Sequence, residues 1–125
     1  MVDERVAKLA RVLVDYSVEA EEGDQVLVSG EVGAGPLIGA LYARLLQVGA
    51  TPITQVSLPG MQELFFEHAQ EVQYGEIPSV TRAMYEGADA QIAIRSPSNT
   101  RALERGPPKA TGAPEAQQAA RRDDA

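Results

Sequence analysis

Three short apolar runs, each separated from the next by helix-patterned sequence, constrain this chain more than any other feature. They are QVLVSG at residues 25–30, TPITQVSL at 51–58 and DAQIAI at 89–94. In the first, Val26, Leu27 and Val28 follow one another without a polar interruption. A strand wet on one face alternates apolar and polar residues, whereas a strand covered on both faces reads as a continuous apolar run. Between the first two runs, Leu37, Leu41, Leu45 and Val48 recur on one helical face. Pro36 suits the first turn of that helix and Gly49 the position just past its end. Strands joined through helices pair in parallel with right-handed crossovers. The expectation is an α/β domain of three layers. A small parallel sheet, with strands at about 25–30, 51–58 and 89–95 in the order second, first, third, is flanked by helices.

The remaining elements fit around this frame. Val2, Val6, Leu9, Ala10, Leu13 and Val14 repeat at helical spacing, which predicts an amphipathic helix over residues 3–19. EAEEGD ends it, with Gly23 free to take positive φ. LPG at 58–60 is a turn, and MQELFFEHAQ a short helix with Leu64 and Phe65 as expected core residues. Ile77-Pro78 marks a boundary, because the residue before proline avoids the helical region. SVTRAMYEGA is a further helix closed by Gly87. After Leu103 the composition changes to ERGPPKATGAPEAQQAARRDDA, which has almost no large apolar side chain. Such a stretch cannot bury enough surface to offset its ordering entropy. Residues 1–103 therefore read as one domain and 104–125 as a divergent, mostly disordered tail, with a weak helix over EAQQAARR as the one ordered option.

Charge and composition remove several function classes. The net charge is −7, and no basic stripe is present to track a phosphate backbone, so no nucleic-acid partner is expected. The absence of Cys excludes thiol redox catalysis, thiolate zinc sites and disulfides, and fits a cytoplasmic location. No apolar run reaches the length of a membrane span, so no membrane partner is expected. Acidic residues near the start argue against a signal peptide.

Four features bear on chemistry. SGEVGAGP lies between a strand and a helix, where phosphates bind in nucleotide folds. Gly30, Gly33 and Gly35 lack the dinucleotide spacing, no Gly-Lys-Ser/Thr follows, and Glu31 would repel phosphate. A tight strand-to-helix turn explains the glycines better. His68 is the sole histidine; with Glu71 three residues on it has a helical metal-ligand spacing, but a catalytic metal needs at least three protein ligands, and a surface histidine is the simpler reading. No G-x-S-x-G elbow surrounds Ser29. The segment IRSPSNTRAL leaves the carboxyl end of the third strand, the edge where open α/β sheets bind ligands. Arg95, Asn99 and Arg101 are its candidate contacts to a ligand or an interface; a capped loop tied by its own side chains is the structural alternative. No catalytic and no metal-binding residue is assigned.

DERVAKLARVLVDYSVEAEEGDQVLV, PLIGALYARLLQVGATPITQVSLPGMQELFFEHA and ADAQIAIRSPSNTRAL, taken together over about residues 3–103, resemble the start of the aminopeptidase T and aminopeptidase S family. The collinear set carries the resemblance rather than any single motif. The resemblance implies an amino-terminal α/β domain joined to a larger carboxyl-terminal catalytic domain, and a homodimer. It implies removal of amino-terminal residues from peptide substrates with two divalent metals, zinc or cobalt among them. In such a site a metal-activated water attacks a carbonyl polarised by the ions. The family's Glu, His and Asp ligands belong to the catalytic domain, and none carries over onto this sequence. Beyond Leu103 the sequence departs from the family pattern, and the expectation there is a truncated or frame-shifted product. The resulting reading is an aminopeptidase domain inactive alone. The alternatives are a non-catalytic α/β binding or dimerisation module, and a small nucleotide binder disfavoured by its glycine spacing.

Overall fold

A computed structural model describes residues 3–95 and 115–121. The chain opens with helix α1 (Glu4–Val12), where the Asp3 carboxylate accepts the Arg5 backbone N–H at 2.8 Å and satisfies an otherwise orphaned donor. The expected helix over 3–19 does not run on as α-helix. It widens into a π-helical turn, Leu13–Ser17, in which Val18 N–H reaches back to Leu13 C=O. The wider turn leaves Leu13, Val14 and Val18 all buried. Glu19 then takes a positive φ of 49°, reversing the chain ahead of the first strand.

Strand β1 (Gln25–Glu31) leads through a 3₁₀ turn at Val32–Ala34 into helix α2 (Gly35–Gln47), with Pro36 in its first turn. Strand β2 (Thr51–Ser57), helix α3 (Met61–His68), a 3₁₀ turn at Glu71–Gln73, helix α4 (Ser79–Gly87) and strand β3 (Ala90–Arg95) follow. The sheet order is β2-β1-β3-β4, with the first three strands parallel as expected. Strand β4 (Glu115–Arg121) pairs antiparallel with β3, with a register irregularity between Ala93 and Ile94. The segment where the sequence allows a weak helix is thus a strand. Its register against β3 supplies the backbone partners that its own composition does not select. The expected disorder of 104–114 and 122–125 lies outside the described residues.

One face of the sheet holds the core. Val26 and Val28 of β1 and Ala90, Ile92 and Ile94 of β3 pack against Leu37, Ile38, Leu41 and Leu45 of α2 and against Ala10, Leu13 and Val14. Arg44 of α2 pins the two helices together, its guanidinium donating to Asp15 at 3.1 and 2.8 Å in a bidentate pair. The path from β1 to β2 and then back across β1 to β3 puts α3 and α4 on the opposite face if both crossovers are right-handed. Leu27, 1% exposed, is the buried residue of that second face. Neither α3 nor α4 has a fully buried residue. Leu64 and Phe65, expected in the core, are 52% and 43% exposed. Phe65 instead meets Phe66 and Tyr74 edge-on, with ring centroids 5.8 and 5.4 Å away. No described helix is long and apolar enough to cross a membrane.

Candidate functional site

The carboxyl ends of the parallel strands open onto a cleft of about 800 Å³, a size that holds a small ligand. Its floor is Ser29, Gly30 and Ile94, and its far wall is the β2–α3 turn with Met61 and Phe66. Two carboxylates, Glu31 and Glu63, line it. The position follows from topology: β1 is where the chain changes direction through the sheet, and ligands in open α/β sheets bind outside the strand ends at such a point.

Of the three loop glycines, Gly30 alone is closely packed. A Cβ there would lie 3.3 Å from Ile38 Cδ1 and 3.3 Å from the Ile94 carbonyl, so a side chain would push its neighbours apart by a few tenths of an ångström. A Cβ on Gly33 or Gly35 would meet nothing within 4 Å. The loop is a strand-to-helix turn closed by a 3₁₀ turn at Val32–Ala34, and Glu31 adds a carboxylate to the lining of the cleft.

Arg95 is the last residue of β3, exposed at the same carboxyl edge as the cleft. Asn99 and Arg101 lie outside the described residues. His68 is the last residue of α3, with a side chain 69% exposed and its Nε2 3.4 Å from Glu67. The helical spacing from His68 to Glu71 is not realised. Ala69 is extended, and Glu71 starts a separate 3₁₀ turn. Among the described residues, no three His, Asp or Glu side chains come together in a group able to hold a metal ion. A divalent pair therefore has no fitting ligand set among them.

The chemistry the cleft can offer is recognition. Hydroxyls of Ser29 and Ser57 and the Gln55 amide supply neutral hydrogen bonds, the two carboxylates favour a cationic group, and Met61, Phe66 and Ile94 give an apolar wall. Among its described lining residues there is no imidazole or thiol. Sequence reasoning pointed to this edge through Arg95 but not to the β2–α3 turn as its wall. LPG followed by a helix marks the turn in the sequence, but not that residues 58–63 line the cleft beside β1.

A family model described as thermophilic metalloprotease (M29) matches residues 2–124. The match runs through the residues whose composition diverges after Leu103. No curated protein matches the chain.

Proposed function

The chain belongs to the thermophilic metalloprotease family M29, that of aminopeptidases T and S, and we propose that it serves as the amino-terminal α/β domain of a metal-dependent aminopeptidase without itself holding the metal pair. The family match carries the reading. In this reading the peptide bond is cut on ligands supplied by another domain. The same reading carries a peptide as substrate, zinc or cobalt as the metals, a homodimer, and residence in the cytoplasm.

The second reading, a non-catalytic binding module, is favoured by the cleft at the carboxyl edge, whose described lining combines hydrogen-bonding groups, carboxylates and an apolar wall. Its carboxylates and apolar wall suit a cationic group carrying an apolar arm.

Steady-state hydrolysis of leucyl chromogenic substrates by the purified chain tests the first reading. With zinc, cobalt or manganese added in turn, the expected rate is that of buffer with metal alone. Metal-dependent turnover that co-purifies with the chain through a second column would overturn it.

A further inference from the structure

Helix α3 and the turn after it carry an aromatic cluster that burial does not explain. Phe65 meets Phe66 and Tyr74 edge-on, yet all three rings are exposed, Phe66 by 61%. Leu64 and Met61 on the same helix are exposed as well. Short helices draw most of their stability from burying an apolar face, and α3 has no fully buried residue. Contiguous exposed apolar side chains of this kind mark a contact surface.

Local structure holds the cluster together. Ala69 leaves the helix in an extended conformation, and Gln70 and Gln73 form a capping box in which Gln73 Oε1 accepts the Gln70 N–H at 2.8 Å. That turn brings Tyr74 back against Phe65.

Charge selects the kind of partner. Between Met61 and Glu76 the sequence has four glutamates, Glu63, Glu67, Glu71 and Glu76, and neither lysine nor arginine, so this stretch holds −4 of the chain's −7. All four side chains are exposed. Glu63 and Glu67 stand one helical turn apart, a spacing at which like charges repel. His68, whose Nε2 lies 3.4 Å from Glu67, is the sole basic side chain in the stretch. Aromatic rings attract a guanidinium or ammonium over their faces, and neighbouring carboxylates accept its hydrogen bonds. Rings and acids together therefore suit a cation borne on an apolar backbone of side chains.

We propose that α3 and the turn through Tyr74 form a docking surface for a cationic, apolar segment of a partner protein. Arginine or lysine side chains of that segment lie between the rings of Phe66 and Tyr74 and the glutamates, and its aliphatic side chains lie against Leu64. A second copy of this chain is disfavoured, because two such surfaces would bring like charges together. An anionic lipid surface is disfavoured for the same reason. The inference goes beyond the proposed function. It needs neither metal nor a ligand in the cleft, whose wall the surface shares through Met61, Glu63 and Phe66, and the partner segment is held rather than cut.

Fluorescence anisotropy with a labelled synthetic peptide tests it. The peptide alternates leucine and arginine and is blocked at both ends, so it offers an aminopeptidase no free amino terminus. Saturable one-to-one binding to the full chain is expected, weakening as salt screens the glutamates. The same peptide with glutamine in place of arginine is expected not to bind measurably. In the chain, Glu63→Gln with Glu67→Gln is expected to weaken binding roughly fivefold or more, and Phe66→Ser to weaken it by a similar factor. Circular dichroism should be unchanged in the glutamine variant, which relieves a like-charge pair. Glu4→Gln, on α1, is expected to leave binding as it is. No binding of the arginine peptide overturns the proposal. So does binding indifferent to both the glutamine pair and Phe66→Ser, which places the peptide elsewhere. Equal binding of the glutamine peptide also overturns it, as the mark of an unselective apolar face that a neighbouring domain or second copy would cover. None of these outcomes touches the family membership.

Discussion

Arg121, on the last strand, closes on Asp24, at the entrance to the first: its Nη1 donates to Asp24 Oδ2 at 2.6 Å and its Nη2 to Oδ1 at 3.3 Å. The same Nη1 reaches the carbonyls of Val18 and Glu19, at 3.1 and 3.2 Å, which the end of the π-helical turn leaves without helical donors. One guanidinium thereby ties β4, the loop into β1 and the end of the first helix into one unit.

Because these bonds are charge-assisted and the two side chains are only 19% and 13% exposed, Arg121→Ala should cost about 1–3 kcal/mol. Urea denaturation followed by circular dichroism measures this directly. An unchanged midpoint would mean that the Arg121 guanidinium contributes no net stability.

The pair also sets a pH dependence. The hydrogen bond from Arg121 holds the Asp24 carboxyl below its ordinary value of 3.8, aided by the Glu21 backbone N–H and the Arg121 charge and opposed by burial. A carboxylate with a depressed folded pKa adds stability that is present above its unfolded pKa and is lost as pH falls through the folded one. The stability of the native chain should therefore decline as pH drops below about 4, the unfolded carboxylate value, and the drop should be shallower in Arg121→Ala. Thermal melts from pH 6 to pH 2 compare the two slopes.

Gly49 should be the least replaceable glycine. It ends α2 with φ +88°, and an added Cβ would lie 3.0 Å from Glu22 Cγ and 3.3 Å from its Cα. Its carbonyl also accepts the Gly23 N–H at 3.0 Å. Gly49→Ala should destabilise by about 1–3 kcal/mol through backbone strain, whereas Gly33→Ala, facing open space, should change little. Chemical denaturation of both variants separates them.

The two helical layers should respond unequally to truncation. Leu41, fully buried between α2 and the sheet, should lose about 2–5 kcal/mol as Leu41→Ala. Leu64→Ser on α3, 52% exposed, should stay within about 1 kcal/mol of the parent. Equal losses would mean that α3 is packed as tightly as α2.

The part of this architecture that was legible in the sequence is the part driven by burial. Val26 to Val28, Ile92 and Ile94 read as central strands because both faces of a parallel sheet demand apolar residues. Leu37, Leu41 and Leu45 read as a core helix for the same reason, and the order β2-β1-β3 followed from the crossovers. Strand β4 was not legible. EAQQAAR has no β-branched or aromatic residue, and its conformation comes from the β3 edge and from Arg121, a long-range contact no local pattern announces. Leu64 and Phe65 misled because an apolar helix normally implies a core, and here the second face offers little beyond Leu27 to pack against. At the candidate site, Arg95 ends β3 at the carboxyl edge of the sheet but is not among the residues lining the cleft. The cleft itself depends on residues 58–63 crossing in front of β1, which spacing alone does not fix.

Metal stoichiometry of the purified chain tests the central claim most directly. After equilibrium dialysis against micromolar zinc or cobalt and removal of free ion, elemental analysis should find well under one metal per chain. Two tightly held ions per chain, with peptide hydrolysis that rises and falls with their occupancy, would contradict the assignment of this chain as a domain without the catalytic centre.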